Sequence, residues 1–531
     1  MTMAFKGAGT GTRRDWIGFG AMCIGMFMAV LDIQIVATAL PDLQAALKIP
    51  FDYLSWTQTA YLIPEIIAVA LSGWAGRLIT HGRLFALGAA GFTLASIGCA
   101  FSGDAVTLIS WRVAQGLCGG FLIPTVFTVG ARLFDGRAEA RAIAAAGAAA
   151  MLATAIGPLV AGYIVEQLSW HWLFLINVLP GIVVVATVST TIKLDAADRS
   201  ALSDFEAVAF VSLVGFLVAL ELLLKEGPPR GWADSVVFGL VALVVVSTAG
   251  LWLRCVKRRS ALLEMRLLRD SRFALACLAS FVLGIGVFGS AYLLPVFLGF
   301  VRQHSPLEIG ETVMVTGAAQ LVCAPIAAWV QARWGCRTLP GALIATAGFA
   351  CFALGSLLNA HETVNSDFRE LLLPQVLRGA AVMFCLLPTM AMALDHQRAD
   401  QLGNASALFN LVRNVGGAVG IALVATVIEL RPAVHAHAIA ARLQAGDRAT
   451  AQFLGLPLDR FHGVPIGPVD QATQDMVRPI IEQGAATASF NDAWIVVAIA
   501  FAATAVSLAV FAWRFGTART RATGRSPIPQ G

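Results

Sequence analysis

Apolar residues in this chain fall into long runs separated by short polar gaps, and the runs are longer than a soluble core requires. A helix rises about 1.5 Å per residue, so ~20 apolar residues cross the ~30 Å hydrocarbon layer of a bilayer. Runs of that kind cover approximately 16–40, 53–77, 84–103, 107–132, 140–165, 171–192, 205–225, 232–254, 272–301, 308–332, 338–359, 369–394, 402–429 and 491–515. The pattern predicts fourteen membrane spans. Each must be helical, because hydrocarbon offers backbone N–H and C=O groups no partner outside their own segment. The chain therefore reads as an all-α polytopic membrane protein. Its one long hydrophilic segment, 431–490, separates the last two runs and contains a helix-like stretch, Ala433 to Leu443, and a Gly/Pro-rich middle, Gly455 to Pro468.

Composition agrees with the pattern: 58% of the 531 residues are hydrophobic and 13% charged, against about 25% charged in an ordinary soluble protein. The net charge of +5 does not point to nucleic acid, because the basic residues collect in alternate short gaps. They are Lys6, Arg13, Arg14; Arg77, Arg83; Arg132, Arg137, Arg141; Lys193, Arg199; Arg254, Lys257, Arg258, Arg259, Arg266, Arg269, Arg272; Arg333, Arg337; and Arg514, Arg519, Arg521, Arg525. The intervening gaps hold only Lys48, Lys225, Arg230, Arg302 and Arg369. By the positive-inside rule the first set is cytoplasmic, which puts both termini and the 254–272 linker inside and the 431–490 segment outside. The run from Trp16 to Leu40 exceeds the ~7–15 residues of a signal-peptide core, so it is expected to stay as the first span. Nine cysteines scattered in or beside apolar runs give no disulfide framework or metal-ligand spacing. His435 and His437 diverge at i and i+2 on a helix, with no third ligand near. No cofactor is expected.

The candidate chemistry lies in polar residues inside the spans. Arg112 sits in the fourth run, where an arginine costs at least ~2.5 kcal/mol and so marks a protein interior or water-filled path. Asp32 lies about ten residues from the outer end of the first run, too deep to snorkel easily. Burial and a neighbouring arginine act on such a carboxyl in opposite senses, the competition a proton carrier needs. A permanent structural salt bridge is the alternative. In the second run Gln58, Tyr61, Glu65 and Ser72 share a helix face, predicting a wet side, with Glu65 either a second proton or cation site or a structural hydrogen-bonding group. Ala153, Gly157 and Ala161 form a small-residue stripe beside Pro158 that lets another helix pack closely. Ser406, Asn410, Arg413, Asn414 and Gly417 form a second polar stripe, read as cavity lining or as an anchor at a cytoplasmic end.

Several of these stretches carry a resemblance. Leu108-Ile-Ser-Trp-Arg112-Val-Ala-Gln115-Gly116-Leu-Cys-Gly-Gly120 resembles the fourth-helix motif of the major facilitator superfamily. Gly157-Pro158-Leu-Val-Ala161-Gly162 resembles the fifth-helix Gly-Pro motif of its drug:proton antiporters, and Leu31-Asp32-Ile-Gln34 to Pro41 looks like the first-helix motif of the fourteen-span group. The loop from Gly73 through Arg77 to Arg83 resembles the superfamily's gating signature, with Arg77 standing where an aspartate is usual, as in some fourteen-span pumps. A subset of the family has a glutamate at the position of Glu65. The place and length of the outer segment and the later Phe490-Asn-Asp-Ala-Trp494 resemble the inner-membrane component of Emr-type tripartite multidrug pumps.

The resemblance implies residues 1–15 as a cytoplasmic N-terminus, 16–192 as a six-helix bundle and 193–254 as two extra spans. A cytoplasmic linker, 255–271, then leads to a second six-helix bundle, 272–515, with the periplasmic loop 431–490, and to a cytoplasmic tail, 516–531. The second block echoes the first: Arg112-Val-Ala-Gln115-Gly116 is answered by Gln375-Val-Leu-Arg378-Gly379, with arginine and glutamine exchanged. Two such halves place a substrate site at the bilayer midplane. The implied assignments are Asp32, Glu65 and Arg112 for proton coupling; Gln34, Gln58, Tyr61, Gln115, Gln320, Gln375, Arg378, Asn410, Arg413 and Asn414 for the substrate cavity; Gly157, Pro158, Ala161 and Gly162 for the antiporter motif; and Gly73, Arg77 and Arg83 for the gating loop. The expected function is export of lipophilic or cationic drug-like compounds across a bacterial inner membrane, driven by the proton-motive force, with a periplasmic adaptor and outer-membrane channel as partners. An uptake symporter is the alternative transporter, disfavoured by the Gly-Pro motif. A membrane-embedded enzyme would need clustered catalytic side chains, and a sensor an added soluble domain; neither is visible.

Overall fold

The structure, a computed structural model, describes residues 11–192, 197–202, 205–227, 230, 232–257, 265–334, 338–395, 397, 402–461, 463 and 471–523. Lys6, Lys193, Arg258, Arg259, Arg337 and Arg525 of the charge pattern lie outside the described residues, as do 1–10 of the N-terminus, 258–264 of the linker, 464–470 of the outer segment and 524–531 of the tail.

Among the described residues every regular element is helical, and fourteen stretches are long and apolar enough to cross a membrane. In order they are Arg13–Thr38, Trp56–Ile79, His81–Ala100, Ala105–Leu133, Arg137–Gln167, Trp172–Thr191, Ala207–Glu226, Ser235–Arg254, Ser271–Val301, Pro306–Trp334, Pro340–Asn359, Phe368–Leu394, Ala405–Gln444 and Asp475–Arg514. The fold is thus the expected all-α polytopic one. Polar residues at the ends of apolar runs start the helices. Thr12 and Asp15 form a reciprocal capping box before the first span, and Asp367 and Glu370 do so before the twelfth, satisfying backbone donors that a helix start leaves orphaned.

The fourth and sixth spans are interrupted within the first unit. The fourth breaks at Gly120 and Phe121, between helices Ala105–Gly119 and Leu122–Leu133. The sixth breaks at Ile176 and Asn177, between Trp172–Leu175 and Val178–Thr191. The fifth, by contrast, runs unbroken through Pro158.

The chain packs as two compact units. The first comprises Met1–Glu264, Ser290–Gly317 and Ile421–Leu430; the second comprises Met265–Gly289, Ala318–Gly420 and Arg431–Gly531. The two extra spans, seven and eight, belong to the first unit. Lys225, expected in a loop outside the membrane, is instead in the last turn of the seventh span. It is buried, 3.6 Å from Glu221, with Nζ donating to Thr59 Oγ1 at 3.3 Å and lying 3.9 Å from the centre of the Trp56 ring. The physical reason is pairing: an acid one turn earlier on the same helix removes the need to reach water.

The outer segment also departs from expectation. The last helix is continuous from Gln471 to Thr523, 53 residues or roughly 80 Å, so it begins some way before residue 491. Helix Pro432–Gln444 packs along it. Asp492 accepts from Arg431 Nε at 2.6 Å and lies 2.7 Å from His435 Nε2. Ile439 and Leu443 are buried, and Leu454 closes on Gly484. The described part of this segment therefore has its own small core.

Candidate functional site

Asp32 is completely buried midway along the first span, and its partners come from two other spans. Arg112 of the fourth span donates from Nη1 to Asp32 Oδ2 and, at 2.6 Å, to Gln115 Oε1. Its Nε donates to the backbone carbonyl of Thr57 at 3.1 Å. Gln115 Nε2 donates to Asp32 Oδ1 at 2.8 Å and to Ser96 Oγ at 2.9 Å. Asn177, at the break in the sixth span, donates from Nδ2 to Asp32 Oδ1 at 3.1 Å.

Local sequence explains how these groups meet. Arg112 and Gln115 are three apart and so share a helix face. A Cβ on Gly116 would run into the Tyr61 carbonyl, so only glycine lets the second and fourth spans come so close. That approach puts the Tyr61 ring 4.4 Å from the Arg112 guanidinium carbon, where a ring face attracts a cation. An interrupted sixth span lets Asn177 turn its amide inward. The result is a closed ion pair whose remaining donors and acceptors are met by amides, a backbone carbonyl and an aromatic face, which a charge pair needs to survive away from water.

Tyr61 and Gln115, assigned by resemblance to a substrate cavity, thus belong to this charge cluster. The face that carries Gln58, Tyr61 and Glu65 is packed and not open to solvent, because the glycines of the fourth span close over it; all three side chains are buried. Gln58 Nε2 has no hydrogen-bond partner. Gln34 is half-buried, and a Cβ on Gly157 would lie 2.5 Å from its Cβ, so the small-residue stripe seats the first span directly. On its other side the Gly-Pro element meets the tenth span: a Cβ on Gly310 would lie 2.5 Å from the Pro158 carbonyl oxygen, and Gly162 faces Pro306. Ala161 is fully buried.

In the second unit Gln375 and Arg378 are buried, whereas Gln320, Asn410, Arg413 and Asn414 are half-buried. Asn410 spends its amide on the Ser406 carbonyl, 2.9 Å away on its own helix. In the gating loop Gly73, Arg77 and Arg83 are exposed. The backbone carbonyl of Arg77 accepts from Asp198 N at 3.0 Å. The Asp198 carboxyl is held below the usual carboxylate range, first by Ser200 and last by the charge of Arg77.

Sequence reasoning missed Asn177, Ser96, Asp198, Glu221 and Glu362. Glu221 had a signal, as an acid inside an apolar run. Asn177 and Ser96 had none, because a lone amide or hydroxyl in a span is usually unremarkable.

A profile of the Major Facilitator Superfamily matches residues 22–421. The chain is 33% identical over 491 residues to the colistin resistance protein EmrB of Acinetobacter baumannii, covering 92% of this chain and 95% of that one. It is 25% identical over 503 residues to the probable multidrug resistance protein EmrY of Escherichia coli, covering 94% of each. Among solved structures it resembles a peptide transporter POT in complex with sulfate, with a TM-score of 0.60 at 14% identity, covering 92% of this chain and 94% of that one, a likeness of fold alone. With its fourteen spans and its buried Asp32–Arg112 cluster, this chain belongs to the Major Facilitator Superfamily.

Proposed function

We propose that the chain is a proton-coupled antiporter that exports lipophilic or cationic drug-like compounds, with Asp32 carrying the coupled proton and Arg112 answering its charge. The observation that carries this reading is a carboxylate buried mid-span and held by Arg112, Gln115 and Asn177, with no covalent chemistry to perform. Protonating Asp32 removes the charge that Arg112 holds; Gln115 Oε1, 2.6 Å from Nη1, is an acceptor already in place for the released guanidinium. Proton and substrate drive each other only where a conformation favours one of them, since equal affinity in both states shifts nothing. The force is sufficient: a charge crossing 100 mV yields ~2.3 kcal/mol, which at ~1.4 kcal/mol per tenfold sustains roughly a forty-fold gradient.

The drug-export reading is supported by relatives whose names are colistin resistance and multidrug resistance proteins. The alternating basic loops support an inner-membrane orientation with both termini cytoplasmic, and the likeness to the Emr-type proteins supports a periplasmic adaptor leading to an outer-membrane channel. The adaptor's footprint is then the helical layer around Pro432–Gln444; a photocrosslinker at position 445 captures it, and absence of any adduct in cells that hold the adaptor removes this partner. The central test uses reconstituted vesicles with an imposed pH gradient. Asp32→Asn keeps the protein folded and abolishes drug-driven proton movement; full coupling in that variant eliminates Asp32 as the carrier.

A further inference from the structure

A second buried charge pair lies wholly inside the second unit. Arg378 of the twelfth span and Glu362, in the turn between the eleventh and twelfth spans, are both almost fully shielded, at 1% and 4% exposure. The guanidinium carbon lies 4.2 Å from the centre of the Trp494 ring of the last span. Asn491, one turn before Trp494, donates from Nδ2 to the Glu362 backbone carbonyl at 2.8 Å, fixing the turn against that helix.

Unlike Asp32 and Arg112, this pair is not closed. Neither carboxyl oxygen of Glu362 and none of the three guanidinium nitrogens of Arg378 makes a hydrogen bond of ordinary geometry, yet Arg378 and the Trp494 indole are both near enough to act on the carboxyl. Two buried full charges left apart would each bear the cost of desolvation without the return of pairing. A neutral carboxylic acid beside one guanidinium that rests on an aromatic face relieves half of that cost.

We propose that Glu362 and Arg378 form a second proton-binding site, in which a proton on Glu362 and an ion pair between Glu362 and Arg378 are alternative states. The structure has the geometry of the protonated state, with the pair open. Loss of the proton leaves a buried carboxylate whose nearest cation is Arg378, and closure draws the 360–367 turn toward the twelfth span. Burial supports this by pushing the Glu362 carboxyl up from 4.5 to about 8, against the opposing pull of Arg378 and the Trp494 indole. Among the described residues Arg378 is the one charge with a resolved effect on it. Arg378 is the charged group that the twelfth span turns toward it. The last helix offers Trp494 and Asn491, while Asp492 is engaged with Arg431 and His435. Asn359 of the eleventh span is buried and uncharged, and His361 beside it is exposed, its ring on the Leu357 carbonyl at 2.9 Å. In the outward orientation given above the site lies at the periplasmic end of its unit, where it exchanges protons with the outside.

The site rests on the transport reading only for its use, so its test is made without transport. Infrared difference spectra of the full-length protein, titrated from about pH 6 to about pH 10, read the carboxylic C=O band. The expected result is a band that disappears with a midpoint near 8, is absent in Glu362→Gln and remains in Asp32→Asn. Arg378→Met, which removes the cation, moves that midpoint upward by about one unit or more; this shift decides the matter even if Glu362→Gln is not recovered. A spectrum unchanged by Glu362→Gln, or a midpoint in the ordinary carboxylate range in the unmodified protein, overturns the proposal whatever the outcome of transport assays.

Discussion

The two units each bury an arginine on an aromatic ring, and they differ in how the matching acid is supplied. In the first, Tyr61 lies 4.4 Å from Arg112; in the second, Trp494 lies 4.2 Å from Arg378. Asp32 comes from mid-span and is met by Arg112, two amides and no free valence. Glu362 comes from a turn at the end of a span and makes no hydrogen bond of ordinary geometry through its carboxyl. Both corresponding spans, the fourth and the twelfth, thus bury an arginine, but its ring comes from the second span in one case and the last span in the other, and no mid-span carboxylate meets the second arginine. A closed pair of this kind holds charge firmly and needs a conformational change to open, whereas an open pair changes its charge by binding a proton in place.

That difference can be broken most severely at Arg112. Arg112→Met leaves Asp32 buried without its counter-ion, and the expected loss is about 3–5 kcal/mol of stability, read as a lowered melting temperature in detergent. The double variant Asp32→Asn with Arg112→Met replaces both charges; it should regain most of the loss while transporting nothing. A single variant as stable as the unmodified protein would mean that the pair does not need closing.

At Glu362 the expected effect is smaller and depends on pH. Its folded pKa is raised, so the fold favours the neutral form: that contribution is complete below the ordinary value of 4.5 and is lost as pH rises toward about 8. Glu362→Gln should change stability little in acid and remove the decline of melting temperature between about pH 5 and pH 8. An equal decline in both proteins would assign the pH dependence to other groups.

Much of this molecule was legible in one dimension. The fourteen spans, the helical class and the alternate basic loops follow from the cost of placing polar groups in hydrocarbon, which each segment bears by itself. The same cost singled out Asp32 and Arg112, since an intramembrane charge is conspicuous wherever it falls. It failed where the neighbouring chain supplied relief: Lys225, taken for a loop residue, is held inside by Glu221 on its own helix. The outer segment, hydrophilic in sequence, packs against a last helix that begins well before its apolar part.

What the sequence by itself determined, then, is where the chain crosses the membrane and which charges it carries there. Tertiary structure alone decided which groups answer them. Asn177 reaches Asp32 from 145 residues away, Gln115 from 83, and the Glu362 turn is tied to the last helix across 129. Asp198 comes to Arg77 from beyond four further spans. The physical reason is that helical periodicity records which side of a helix is apolar, while the identity of the facing helix is set by close packing at positions such as Gly116 and Gly157. A donor in a distant span leaves no periodic trace of the acceptor it will meet.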